Sequence, residues 1–373
     1  MNSCFFSKLA ASMLVYVIVP LIAMGQTTAA SGGAQSEEVR KFRAFLADDW
    51  KRWMQEYPEM ATWVGYPGQN RRWTDESSAG YEARVKHLHE SLGAMKQLHR
   101  DLLPVSERLN YDLYLKKLQE SEESLQYGGE PFGATADRWI PITQMGGVQQ
   151  EAAAVLALMP HEKVSDYEDM LVRLEALPEV AEQTLALMKE GLKRGYTPPK
   201  VTMRDVPKQV EDLIPSDPMK SALLQPFQEF PPAIAEADRT RLVERAKQIY
   251  TSREVPAFQK LREYLVSTYI PACRESIAAS DLPNGAAAYA FLVRQYTTTR
   301  LTPAQIHEIG LSEVKRIRAE MDKVIQSTGF KGSFREFTEF LRTNSQFFYD
   351  KPEDLVNGYR IITKKIDPEL AHE

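Results

Sequence analysis

The sequence predicts an all-α protein, an irregular assembly of many helices with no significant sheet. Apolar residues recur at spacings of three and four along most of the chain, the period of helices that bury one side. Helix-start signals recur as well, with a hydroxyl followed three residues later by Gln or Glu. No stretch of useful length alternates polar and apolar residues as a strand would.

Taken from the N-terminus, Lys8 is the only charge before Glu37, residues 9–24 are an apolar run, and Ala23-Met24-Gly25 offers a small-x-small exit before Gln26. These are the parts of a secretory signal, and the run is shorter than the ~20 residues a membrane span needs. Residues 1–25 are therefore expected to be a cleaved signal peptide that leaves no stable membrane anchor, and the protein to be exported, periplasmic or secreted. Cys4 precedes the run, so it is not placed as a lipid-anchor site. Residues 26–35, built from Ala, Ser, Gly, Gln and Thr, read as a flexible leader, and residues 36–373 as a single helical domain.

Loss of Lys8 with the signal moves the formal charge from -5 to -6, mild acidity of mixed sign that argues against nucleic acid as a partner. Only Cys273 then remains, so no internal disulfide is available and the fold must rest on its core.

Val39, Phe42, Phe45, Leu46, Trp50 and Trp53 give the first helix its apolar stripe, which ends at Pro58. Further helices are expected over 81–103 and from Pro104 to about Leu125. Residues 128–147 carry glycines, prolines and aromatics without helical period and read as a long irregular loop. Helices resume near Glu151, near Ser165 and over 179–194. Prolines from Pro198 to Pro232 cut the middle into short turns, and 235–269 predicts one long helix or a pair bent at Pro256. Thr302-Pro303-Ala304-Gln305 and Ser333-Phe334-Arg335-Glu336 are capping boxes. Ile306, Ile309, Val314, Ile317, Met321 and Val324 form the side expected to be buried. A repeat array is excluded, because nothing recurs at a ~34-residue period.

A helical zinc peptidase needs two His one turn apart with Glu beside the first. His89-Glu90, His161-Glu162, His307-Glu308 and His372-Glu373 begin that way, and none completes it. His87 and His89 point about 200° apart on a helix, and both are expected on its solvated side with His99. Gly146-Gly147 reads as a tight turn or as a close backbone approach to a ligand. Trp50 and Trp53 sit at helical spacing and read as core.

Four stretches together resemble the exported bacterial family known as domain of unknown function 885. They are residues 137–148 (DRWIPITQMGGV), 289–311 (YAFLVRQYTTTRLTPAQIHEIGL), 313–321 (EVKRIRAEM) and 329–370. The resemblance implies an all-helical relative of the gluzincin metallopeptidases, in which zinc polarises a peptide carbonyl and a Glu activates water. It also implies that Gln144, Gly146 and Gly147 line a substrate cleft with Arg294 and Tyr296 near it. The family's HExxH-like zinc region lies downstream of these stretches. The chain therefore reads as truncated at its C-terminal end and inactive alone, with no catalytic residue and no metal ligand. Zinc is expected only in a full-length relative. The alternative is a non-catalytic helical peptide-binding or scaffold protein. A peptide ligand and self-association through apolar helices, notably Phe334, Phe337, Phe340 and Leu341, are the expected partnerships.

Overall fold

The computed structural model describes residues 33–131 and 138–372, so the expected signal peptide and most of the leader lie outside the described residues. The described part is all-α, with no strand and only two isolated bridges, Thr143 with Gly146 and Pro199 with Arg274. No described helix is long and apolar enough to cross a membrane. Contacts group the chain into Met1–Thr299 and Arg300–Glu373, so the stretch expected as one domain over 36–373 carries two contact units.

Helices α1 (Gly33–Glu56), α2 (Pro58–Trp63), α3 (Ser78–Gln97) and α4 (Val105–Leu125) open the first unit. Helix α1 starts at Gly33, so the last three positions expected in the leader are helical. Its stripe packs as its spacing predicts: Phe42, Leu46, Trp53 and Met54 join Leu88, Leu92 and Met95 of α3 and Tyr111 and Leu118 of α4 in one core. Pro58 at the start of α2 lacks the N–H that a continued α1 would need. Helix α3 starts three residues earlier than expected because the Ser77 hydroxyl accepts from the Gly80 N–H at 3.2 Å.

A second, larger core follows, built by α5 (Val148–Leu158), α6 (Val164–Arg194), α7 (Val206–Leu213), α8 (Glu236–Ile249) and α9 (Val255–Tyr264). Helix α6 runs unbroken through Pro178, where the sequence suggested two helices. Leu174, Leu177, Ala181 and Leu185 keep one side buried across the proline, and that burial outweighs the lost backbone bond. The helix ends at Gly195, left-handed at φ 79°, where Tyr196 N–H returns to Gly191 O at 2.8 Å.

The proline-rich 235–272 segment is neither straight nor broken. Two π-helical turns, Tyr250–Glu254 and Leu265–Tyr269, interrupt it, each just before a proline, Pro256 and Pro271. A proline ring meets the carbonyl four residues back, here that of Ser252 or Ser267, and a widened turn there lets the helix continue. Helix α10 (Gly285–Thr297) closes the unit against α4, with Phe291 stacked on Tyr127 at 5.6 Å.

The second unit holds α11 (Pro303–Ser327), α12 (Phe334–Thr343) and α13 (Pro352–Ile366). Both capping boxes form as the sequence predicts: Thr302 with Gln305 and Ser333 with Glu336. The side of α11 expected to be buried is not, however. Ile309, Val314, Ile317, Met321 and Val324 are exposed, Val314 by 68%. Among the described residues of the unit only Ile325 is buried. Phe337 and Phe340 gather around Phe330 at 5.2 and 5.3 Å, and Arg318 lies 3.8 Å from the Phe334 ring centroid. These three expected apolar residues are thus half-buried and Leu341 alone of the four is exposed.

Candidate functional site

The Pro141–Gly147 segment is a tight turn leading into α5. Thr143 N–H donates to Gly146 O at 2.9 Å, and the Gly147 carbonyl accepts from Gln150 and Glu151 at the start of α5. Gly147 has φ 120°, and an added Cβ would lie 2.7 Å from Pro141 O and 3.1 Å from Ile142 Cα. Glycine is required there by backbone sterics alone. Gln149 braces the turn, donating to Thr143 O at 2.8 Å, while its own Oε1 is buried without a partner. Gln144 extends into solvent, its carbonyl held by Gln209 of α7 at 3.1 Å.

Arg294 and Tyr296 sit elsewhere, both exposed on α10, where Arg294 is ion-paired to Glu123 of α4. Among the described residues no hydrogen bond, ion pair or ring contact joins this pair to Gln144, Gly146 or Gly147. Gln144, Arg294 and Tyr296 are thus exposed, while Gly146 and Gly147 are buried within the turn.

A charged cluster anchors the long loop from its other end. Arg84 of α3 donates to Glu76 and Glu130, each at 3.1 Å, and Arg138 donates to Glu130 at 2.8 Å. The Arg138 guanidinium lies 3.7 Å from the Tyr81 ring centroid and that of Arg194 4.4 Å from Trp139. Both Arg84 and Arg138 are buried, so the pairing compensates charges that would otherwise be costly to desolvate. Burial pushes the Glu76 carboxyl up to about 7, with Glu130 adding to it against the pull of Arg84. The cluster ties α3, the loop and the end of α6 together, and beside it Tyr81, Val85, Lys86 and His89 line a shallow open hollow.

Sequence reasoning missed a second polar centre. His87, expected in solvent, is fully buried, and its two ring nitrogens meet Asp49 Oδ1 at 2.8 Å and Glu56 Oε2 at 2.7 Å. Ser91 and Tyr114 also donate to Asp49. Asp49 and Glu56, one heptad apart on α1, were the available signal, since two acids that follow an apolar stripe imply a buried cation opposite.

A zinc-bound imidazole must be neutral with one nitrogen free for the metal, and His87 uses both nitrogens on carboxylates. His161 Nδ1 lies 3.0 Å from Met159 O, and His89 and His307 are exposed. No group of three or more His, Cys, Asp or Glu is placed to hold a metal among the described residues. Among the described residues, these histidines do not converge with other donors on one ion.

Residues 58–373 match the model of a family described as a bacterial protein of unknown function (DUF885). Among solved structures, the chain is similar to a candidate lipoprotein from Colwellia psychrerythraea, with a TM-score of 0.69 at 18% sequence identity. That likeness covers 91% of this chain and 58% of the other, and it is a likeness of fold. No curated protein matches the sequence.

Proposed function

Because this chain belongs to the bacterial DUF885 family, we propose that it is the helical part of an exported peptidase-like protein, inactive until a further helical segment docks on Arg300–Glu373. One observation carries the reading: α11 leaves Val314 and Val324, and α13 leaves Tyr359 and Ile361, each more than half exposed. Exposed apolar surface on this scale marks an interaction site. The solved structure of similar fold, of which this chain spans 58%, is longer. The hydrolytic metal is assigned to that further segment, since the donors described above do not suit it. Export rests on Lys8, the apolar run and Ala23-Met24-Gly25, so the mature chain is expected to start at Gln26 in an extracytoplasmic fraction.

The test is metal content and peptide hydrolysis of the purified chain, alone and co-expressed with the C-terminal remainder of a longer family member. Zinc and activity only in the co-expressed sample are expected. Stoichiometric zinc with hydrolysis by this chain alone would refute the proposal. A second reading, a non-catalytic helical module that holds a peptide or partner protein, is favoured by the same exposed helices. It predicts that neither sample hydrolyses peptides.

A further inference from the structure

Glu254 is fully buried, and neither of its carboxylate oxygens has a hydrogen-bond partner in the protein. It closes the first π turn, two residues before Pro256. A bare carboxylate in an apolar core is among the costliest groups a fold can carry, and such a group takes up a proton instead. Charged groups on the neighbouring helices make their ion pairs and hydrogen bonds with one another, and Arg262 Nε is buried without a partner. On α6, Glu175 is paired with Arg245 and Glu182 with Lys260, while Arg173 is turned to Arg72 and Thr62. On α7, Glu211 is held by Arg262, and on α8 Glu244 by Lys247. Arg253, next in the chain, is exposed. None of them hydrogen-bonds Glu254.

We infer that Glu254 is a proton-held joint: with a neutral carboxyl the 236–272 segment stays packed, and loss of the proton opens the turn at Pro256 so that water reaches the charge. Burial pushes its carboxyl up to about 8, against the pull of Arg253. The joint lies where hinge motion is least costly, because the π turn and the adjoining proline already lack regular α-helical bonds. The folded form binds the proton more tightly than the unfolded chain, whose Glu titrates near 4.5. Stability relative to a non-titrating variant is therefore intact below that value, falls as pH rises toward 8, and is level above it.

The full chain and its Glu254→Gln and Glu254→Met variants would be unfolded thermally and by urea from pH 4.5 to 9. The unfolding equilibrium of the native chain should move toward the unfolded state relative to Glu254→Gln by up to about tenfold per pH unit. Amide exchange at residues 250–258 should be less protected in the native chain than in Glu254→Gln at pH 9, and alike at pH 5. A carboxylic-acid carbonyl stretch at pH 6 that disappears in both variants would mark the proton directly. A gap between native chain and variants that stays constant with pH, or exchange protection that does not diverge, overturns the inference.

Discussion

His87 of α3 and Asp49 of α1 face each other at 2.8 Å inside the first core, with no solvent access to the imidazole. Glu56, on the other ring nitrogen at 2.7 Å, completes an arrangement in which a doubly protonated ring donates to two carboxylates. Beside two further polar links, Ser91 with Asp49 and Arg52 with Glu90, the pair joins α1 to α3. Their interaction sets the first expected outcome.

Burial draws the His87 pKa down, but the hydrogen bonds to Asp49 and Glu56 outweigh it and push it up to about 9. The folded value lies above the unfolded 6.5, so the stabilisation is fully present below pH 6.5 and is lost as pH rises through 9. Its size is about 3 kcal/mol. Urea titrations from pH 6 to 10 should show that loss in the native chain. In His87→Gln it should be absent, and at pH 6 the variant should be weaker by about 3–5 kcal/mol, because Asp49 is left buried and uncompensated.

Arg173 is fully buried, donating to Arg72 O at 2.8 Å and to Thr62 at 2.7 Å, with Nη2 unpartnered. Its guanidinium stacks 4.9 Å from the Trp73 ring centroid, and burial pushes its pKa down to about 10. The side chain fills space as well as carrying charge. Arg173→Met, which keeps the volume and removes the desolvated charge, should cost under about 2 kcal/mol. Arg173→Ala should cost about 3–5 kcal/mol, as for other large buried truncations, read as the shift in denaturation midpoint.

Gly147→Ala places a methyl group against Pro141 O and Ile142 Cα at a φ of 120°. A cost of about 1–3 kcal/mol is expected, seen as a lower melting temperature. Gln144→Ala, at an exposed side chain, should leave stability within about 0.5 kcal/mol. If Gln144 lines a peptide site, its removal should weaken peptide binding while the melting temperature stays put.

Val314→Glu with Ile317→Lys alters only exposed positions of α11. Multi-angle light scattering should show self-association in the native chain and a larger monomer fraction in the variant. The melting temperature should change little. A native chain that is already monodisperse at high concentration would remove the basis for docking on these helices.

The helices were legible because their signals are local. Thr302 with Gln305 and Ser333 with Glu336 are complete within four residues, and both boxes form. The 235–269 reading of one helix, or two bent at Pro256, anticipated the segment but not its resolution into π turns. That choice depends on α6 and α7 holding both sides buried. His87 was misread because nothing within α3 reveals that a charged helix face meets acids 31 and 38 residues upstream. The α11 stripe shows the converse: periodicity announces which side wants cover, not whether cover is present. Of the site, the sequence located the Gly146-Gly147 turn. The docking of α10 against α4 joins segments far apart in sequence, and no local pattern encodes that.

The two π turns, each followed by a proline, also say how this chain tolerates changes of length. A π turn holds one residue more than an α turn, so removing Thr251 would restore ordinary helical winding without rotating Phe258 and Leu261 away from the core. The Pro256 ring would then meet a carbonyl that the wider turn now keeps clear. Deletion of Thr251 should be disruptive by itself and tolerated together with Pro256→Ala, and the same coupling should hold between Ser267 and Pro271. Extra residue and proline thus form an interlocked couple, each acceptable because the other is there.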